Sequence, residues 1–185
     1  GDTSAEPVWR ELDAALDATF PLTDGRSLGL AITAIDSGFS TNRVYGFVAA
    51  QRRKSRRIVA VKGKGGFGRE FLTQSKGRTP LLIAGVDEIK FAVQKRLAMD
   101  EAGPGYIRLP NHLPVEYFRG LASEELIQRS VRGASQYVYK KIVKENEPLD
   151  CLGYAWAISH MPGLQTPATP AKPGPTYAES MAKLR

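Results

Sequence analysis

Residues 79–99 read TPLLIAGVDEIKFAVQKRLAM, a stretch that contains two different hydrophobic patterns. Its first part is an unbroken apolar run, which is typical of a strand that is buried on both faces. The pattern then changes, because the apolar positions recur every four residues from Ile89 to Leu97, as they do on one side of a helix. The sequence therefore predicts a buried strand over 79–86 that leads directly into a helix over 88–99.

Three strand-like runs precede this stretch. They are spaced as consecutive antiparallel hairpins and comprise residues 28–35 (LGLAITAI), 43–50 (RVYGFVAA) and 57–62 (RIVAVK). An amphipathic helix over 9–19 is predicted before them, because apolar side chains recur on one side of it. These side chains are Trp9, Leu12, Leu16 and Phe20.

The second half of the chain continues to alternate between strands and helices. We predict a short strand over 106–109, a helix over 115–129, a strand over 136–144 and a helix over 147–161. Antiparallel hairpins that feed a βα alternation indicate an α/β fold, with a mixed sheet of antiparallel and parallel strands flanked by helices. That is the layout of the ribonuclease H-like fold.

The length of 185 residues suits one domain with a core of its own. We assign this domain to residues 1–161 and expect residues 162–185, which are rich in proline, to form an extended tail. No apolar run approaches the roughly 20 residues that a membrane span needs, so we expect no membrane partner. The single cysteine, Cys151, and two separated histidines argue against a zinc site.

The positive charge is concentrated in one part of the chain. Lys and Arg outnumber Asp and Glu by 26 to 19, a net charge of +7, and ten basic residues but one acidic residue lie between positions 51 and 78. Such a segment favours nucleic acid, because each neutralised phosphate releases counterions; the alternative is a solvated basic surface without a ligand. The residues expected to contact the nucleic-acid backbone are Arg52, Arg53, Lys54, Arg56, Arg57, Lys62 and Lys64.

Three carboxylates stand at the ends of predicted elements. Asp36 follows the first strand, Asp87 follows the buried strand, and Asp150 lies in the first turn of the last helix. Carboxylate oxygens suit Mg²⁺ or Mn²⁺, and three acids can hold two ions about 4 Å apart for in-line phosphodiester hydrolysis. Each acid also has a structural alternative: a turn at Asp36, a helix cap at Asp87 and a favourable helix dipole at Asp150.

The glycine-rich segment 62–68, KGKGGFG, resembles a phosphate-binding loop but lacks the GxxxxGK[ST] spacing of nucleoside triphosphatases. We therefore interpret it as a flexible basic loop that faces DNA. Three further lysines, Lys140, Lys141 and Lys144, lie in the predicted strand 136–144. They indicate either a second backbone-contacting surface or an edge strand protected by lysines.

Several blocks of the sequence resemble one family. Residues 35–47, IDSGFSTNRVYGF, are similar to the D-S-G-x-x-T-x-x-V-Y-x-F signature of GpA-type terminase large subunits from tailed bacteriophages. The matching blocks that follow in order are 58–63 (IVAVKG), 85–90 (GVDEIK) with Arg96-Leu97, 107–110 (IRLP), Tyr117-Phe118, and 147–151 (EPLDC) with Tyr154. The ordered set extends over residues 9–158.

The resemblance implies a ribonuclease H-like endonuclease domain that cuts concatemeric viral DNA when genome packaging starts and ends. It implies an acidic active site with divalent metal, at which Asp36, Asp87 and Asp150 match the family's acids by position. Glu88 is an alternative to Asp87. We expect Asp36 to bridge two ions, and Asp87 and Asp150 to complete one site each.

The resemblance also implies partners and a location. The partners are double-stranded DNA, a small terminase subunit and the portal, and the location is the cytoplasm of an infected bacterial cell. The family's full-length chain carries an ATPase motor, whereas nothing in this sequence resembles a Walker A segment. We therefore expect an excised C-terminal nuclease domain without the motor.

Two other functions fit the same residues. One keeps the fold and changes the substrate, as in a junction resolvase or a transposase-like nuclease. The other is a non-catalytic DNA-binding module whose acids serve only as caps and turns. Cleavage of branched rather than linear duplex favours the first alternative, and DNA binding without any cleavage favours the second.

Overall fold

The computed structural model describes residues 2–76, 81–131 and 133–162. The elements in chain order are α1 (Glu6–Ala15), β1 (Thr19–Pro21), β2 (Ser27–Gly29), β3 (Thr33–Asp36), α2 (Thr41–Arg53), β4 (Ile58–Lys64), β5 (Leu72–Gln74), β6 (Leu81–Gly85), α3 (Val86–Leu97), α4 (Val115–Leu121), β7 (Glu124–Val131), β8 (Ala134–Lys141) and α5 (Glu147–Ser159). The described residues form two compact units. The first unit contains residues 2–61, 81 and 161–162, and the second contains 62–76, 82–131 and 133–160.

The main sheet has four strands in the order β3-β4-β6-β5. Strands β3 and β4 are parallel, with Thr33 opposite Ile58 and Asp36 opposite Val61. Strands β5 and β6 are antiparallel, and two further antiparallel pairs, β1-β2 and β7-β8, stand outside the main sheet. The predicted α/β class with a mixed sheet is confirmed, and the architecture is compatible with a ribonuclease H-like fold.

The core of the first unit forms around helix α2. Because β3 and β4 are parallel, the chain needs a long crossover between them, and α2 supplies it. The Trp9 ring of α1 packs on Phe47 of α2 with 5.1 Å between ring centroids. The buried cluster comprises Trp9, Val44, Val48, Ile58 and Ala60.

The predicted strand over 43–50 is wrong, because these residues belong to α2. Val44, Val48 and Gln51 are all buried, and their spacing of four and three residues is that of one helix face. Burial of this face against the core outweighs the preference of Val, Tyr and Phe for strands. The predicted antiparallel hairpins are therefore also wrong, and residues 28–35 are divided between β2 and β3.

The second half of the predicted helix over 115–129 is also wrong. Helix α4 ends at Leu121, and β7 begins at Glu124 and pairs with β8 over its whole length. Gly133 adopts a φ of +80°, which glycine tolerates without strain, between the two strands. The predicted strand over 106–109 is not formed. The first helix spans Glu6–Ala15 rather than the predicted 9–19, and the short strands β1 and β5 were not predicted.

The remaining elements are confirmed to within a few residues: β4, β6, α3, β8 and α5. Residues 79–80 of the predicted strand and residues 163–185 of the predicted tail lie outside the described residues. In the second unit α5 packs closely on α3 because Gly153 has no side chain; a Cβ atom there would lie 3.0 Å from Cγ2 of Ile89. Across the described ranges, no helix combines the length and the apolar character that crossing a bilayer requires.

Candidate active site

Asp36 lies at the carboxyl end of β3, where the next residue fixes the turn. Ser37 is fully buried, and both its backbone N–H and its Oγ donate to the carbonyl of Val61, at 2.7 and 2.9 Å. The Asp36 side chain is exposed, and its Oδ1 accepts the N–H of Gly38 at 2.8 Å. The turn thus leaves the Asp36 carboxylate exposed to solvent at the end of a parallel strand.

Asp87 and Glu88 lie in the first turn of α3, but neither caps that helix. Residue 85 is the N-cap, so the cap alternative for Asp87 is wrong. Instead Oδ2 of Asp87 accepts the N–H of Gly66, and Oε1 of Glu88 accepts the N–H of Gly68, both at 2.7 Å. The two carboxylates therefore hold the glycine-rich loop against the start of α3.

Asp150 lies in the first turn of α5 and belongs to a network around a buried lysine. Its Oδ1 is 3.0 Å from Nζ of Lys90, and its Oδ2 accepts from Nδ2 of Asn146 at 2.8 Å. Lys90 also donates to both oxygens of Glu124, at 2.8 and 2.9 Å, and Asn146 donates to Oε1 of Glu124 at 2.9 Å. Both oxygens of the Asp150 carboxylate are thus engaged.

Burial and nearby charges together shift the pKa of two groups, Lys90 and Tyr139. Burial alone lowers the pKa of Lys90, but the hydrogen bond to Glu124 and the charge of Asp150 outweigh it and raise the pKa. Burial, followed by the negative charges of Asp87, Glu124 and Glu88, raises the pKa of Tyr139 to about 12. Lys90 is therefore a cation at neutral pH, and Tyr139 is protonated.

Two of the three predicted acids belong to the same compact unit. Asp87 and Asp150 both belong to the second unit, whereas Asp36 belongs to the first. The negative charges of Asp87, Glu88 and Glu124 all raise the pKa of the Tyr139 hydroxyl. Within residues 2–76, 81–131 and 133–162, no three His, Cys, Asp or Glu side chains are arranged as a ready-made metal site.

The basic residues predicted to contact nucleic acid divide into two groups. Lys54 and Arg56 form ion pairs with acids of α1 and the following turn: Lys54 with Asp13 at 2.9 Å, and Arg56 with Asp13 and, at 2.5 Å, Asp17. The hydrogen bond from Lys54 lowers the pKa of Asp13, and Arg56 lowers it further despite the opposing effect of burial. Lys54 is nevertheless exposed, and so are the other five predicted residues: Arg52, Arg53 and Arg57 in the first unit, and Lys62 and Lys64 in the second.

Sequence reasoning missed three members of the network: Lys90, Glu124 and Asn146. A signal for Lys90 was present, because it adjoins Ile89 and precedes Val93 by three residues on the buried side of α3. A lysine on an apolar helix face needs a carboxylate partner. The partner could not be named, because Glu124 fell inside a wrongly predicted helix.

Comparison with known proteins shows to which family the chain belongs. Residues 1–170 match the family model described as terminase large subunit gpA, endonuclease domain. The chain belongs to this family. The chain is similar to the terminase large subunit of Enterobacteria phage P21, with 27% identity over 172 residues that cover 85% of this chain. It is also similar to the terminase large subunit of Escherichia phage lambda, with 22% identity over 163 residues that cover 82% of this chain. No solved structure matches the chain.

The family model describes an endonuclease domain of a terminase large subunit. The chain spans about a quarter of the length of the curated relatives it matches, 26% of the P21 protein and 25% of the lambda protein. The predicted identification as a terminase nuclease is confirmed at the level of the family.

Proposed function

We propose that this chain is a divalent-metal-dependent endonuclease that cuts concatemeric double-stranded DNA during viral genome packaging. The observation that carries the proposal is the exposed carboxylate of Asp36, presented at the end of a parallel strand in a chain of the terminase endonuclease family. The acids of the second unit, Asp87 and Asp150, are the proposed partners of Asp36 in binding metal. Three acids that bind metal in this way would support metal-dependent hydrolysis of a phosphodiester bond.

The fit of these acids to Mg²⁺ or Mn²⁺ depends on what their oxygens already contact. Among the described residues we find no hydrogen-bond partner for Oδ2 of Asp36 or Oδ1 of Asp87. Such carboxylate oxygens are the ligands that hard divalent cations prefer. Asp150 fits less directly, because each of its oxygens already has a polar partner, Lys90 or Asn146.

The proposed roles agree with this fit. Asp36 would be the ligand shared by two ions, and Asp87 and Asp150 would each complete the ligands of one ion, with Glu88 as the alternative to Asp87. When bound, such ions supply an activated water and stabilise the leaving 3′ oxygen. Lys90 would position the Asp150 carboxylate, since its ammonium lies 3.0 Å from Oδ1.

The exposed basic side chains are proposed to hold the DNA backbone. Phosphate contacts position a duplex and carry no sequence information, so cleavage by the chain alone should show little sequence preference. Site selection is then left to a partner, which we propose is the small terminase subunit. We also propose that the complete protein carries the ATPase motor, docks on the portal and works in the cytoplasm of the infected bacterium.

The substrate separates this proposal from the other ribonuclease H-like nucleases. We expect the chain, with Mn²⁺, to cut a linear duplex at least as fast as a four-way junction built from the same sequences, because nothing in the proposed backbone contacts requires a branch. The measurement is the initial rate of cleavage of both labelled substrates at equal strand concentration.

Cleavage confined to the junction would instead indicate a resolvase. Binding of both substrates without cleavage, whichever metal is added, would indicate a DNA-binding module. Either result contradicts the proposal.

A further inference from the structure

An exposed aromatic cluster adjoins the acids at the start of α3. The Phe67 ring, in the glycine-rich loop, lies edge-on to Phe91 of α3 with centroids 6.2 Å apart. It stacks on Tyr139 of β8 at 6.3 Å with an angle of 25° between the rings. Phe67 and Phe91 remain 37% and 36% exposed. We call these three side chains the aromatic surface.

The loop holds Phe67 in a fixed position. The residues on either side of it, Gly66 and Gly68, have φ angles of +99° and +79°, a region in which glycine is unstrained. Their N–H groups donate to the carboxylates of Asp87 and Glu88. Behind the ring, Tyr139 is fixed by a 3.0 Å hydrogen bond from its hydroxyl to Oε1 of Gln94. Phe67 is thus anchored on both sides of its backbone, with part of its ring in water.

The aromatic surface has lysines near it as well as the carboxylates of Asp87 and Glu88. The ammonium of Lys95 lies 4.5 Å from the centroid of the Phe91 ring, and Lys62 and Lys64 are exposed on the chain that leads to Phe67. Aromatic faces flanked by cations are the chemistry with which proteins bind single-stranded nucleic acid, because bases stack on the rings while cations meet the phosphates. A purely apolar partner would have no charge to pair with these lysines, whereas a nucleic-acid strand has phosphates.

We propose that the aromatic surface binds an unpaired base of a DNA strand, with the base stacked on the exposed face of Phe67. The inference rests on the proposed function only in taking DNA as the substrate. It adds a distinct ability, which is to hold an unstacked nucleotide beside Asp87 and Glu88. Stacking of this kind tolerates any base, in agreement with the weak sequence preference expected of the chain.

The test compares two strands that carry the same phosphates. Binding of an oligothymidylate and of an abasic strand of equal length is measured by fluorescence anisotropy in EDTA, so that no cleavage occurs. We expect the 185-residue chain to bind the thymidylate about 5- to 100-fold more tightly, the range that stacking of one base provides. Phe67→Leu should abolish most of this preference, because leucine keeps the apolar volume but offers no ring face.

The matched control is Phe118→Leu. Phe118 is also 37% exposed, and its ring contacts Tyr117 rather than the aromatic surface, so this variant should keep the preference. Equal affinity of the wild-type chain for both strands, or an unchanged preference in Phe67→Leu, would overturn the inference. Because the assay contains no metal, a preference that depends on Phe67 would support the inference even in a chain without nuclease activity.

Discussion

Asp36→Asn is expected to reduce metal-dependent nicking of supercoiled DNA by about a thousand-fold, because a ligand shared by two ions contributes several kcal/mol to the transition state. The asparagine keeps Oδ1, so the hydrogen bond from the Gly38 N–H, 2.8 Å in the wild-type chain, is preserved. Only the charge and the second carboxylate oxygen are lost. The measurement is the initial rate of conversion of supercoiled plasmid to open circle with Mn²⁺.

Asp24→Asn is the matched control for this substitution. Asp24 is an exposed acid of the same unit, and its Oδ1 also accepts the N–H of the residue two positions ahead, Arg26, at 3.1 Å. This variant should cut DNA at the wild-type rate. If Asp36→Asn also cuts at that rate while remaining folded, Asp36 is only a turn residue and the metal assignment fails.

The same nicking assay separates Asp87 from Glu88. Each carboxylate accepts one N–H of the glycine-rich loop at 2.7 Å, so the two alanine variants disturb that loop to a similar degree. The larger loss of activity identifies the metal ligand. We expect the larger loss in Asp87→Ala; a folded Asp87→Ala that still cuts would assign the role to Glu88.

Lys90→Met is expected to destabilise the chain by about 3–5 kcal/mol, the cost of leaving buried charge without a partner. The Lys90 ammonium satisfies both oxygens of Glu124 and contacts Asp150, and the side chains of Lys90 and Glu124 are only 10% and 8% exposed. Methionine fills a similar volume, so the effect comes from charge rather than from a cavity. Urea unfolding followed by circular dichroism measures the change.

Two further variants make this expectation specific. Lys95→Met carries the same substitution on the same helix at an exposed position, where it should cost no more than about 1 kcal/mol. Adding Glu124→Gln to Lys90→Met removes one of the stranded charges and should recover part of the lost stability. If Lys90→Met is as stable as Lys95→Met, the network does not stabilise the fold.

Local patterns in the sequence predicted the elements that depend on local interactions. The stretch 79–99 was interpreted nearly correctly, because the change from an apolar run to a four-residue period lies within the stretch itself. Residues 43–50 were predicted wrongly, because their Val, Tyr and Phe side chains favour a strand. Their helical structure depends on a contact with a distant part of the sequence, the packing of Trp9 on Phe47. The hairpin β1-β2 could have been predicted, because the dipeptide Asp24-Gly25 between its strands is typical of hairpin turns.

The candidate site was predictable residue by residue but not as an arrangement. Asp36 and Asp87 could be proposed because each follows a predicted strand, and Asp150 because Pro148 marks the start of a helix. Their partners come from distant elements, so the loop N–H groups on Asp87 and the ammonium on Asp150 were invisible to the sequence pattern. Contacts between distant elements depend on packing, which spacing alone does not encode.

Metal dependence of DNA cleavage tests the central claim most directly. The measurement is nicking of supercoiled plasmid by the 185-residue chain in Mn²⁺, in Mg²⁺ and in excess EDTA. We expect conversion to open circle and linear DNA with at least one of the two metals, and none in EDTA. Cutting that persists at the same rate in EDTA, or binding without any cutting in either metal, would contradict the claim.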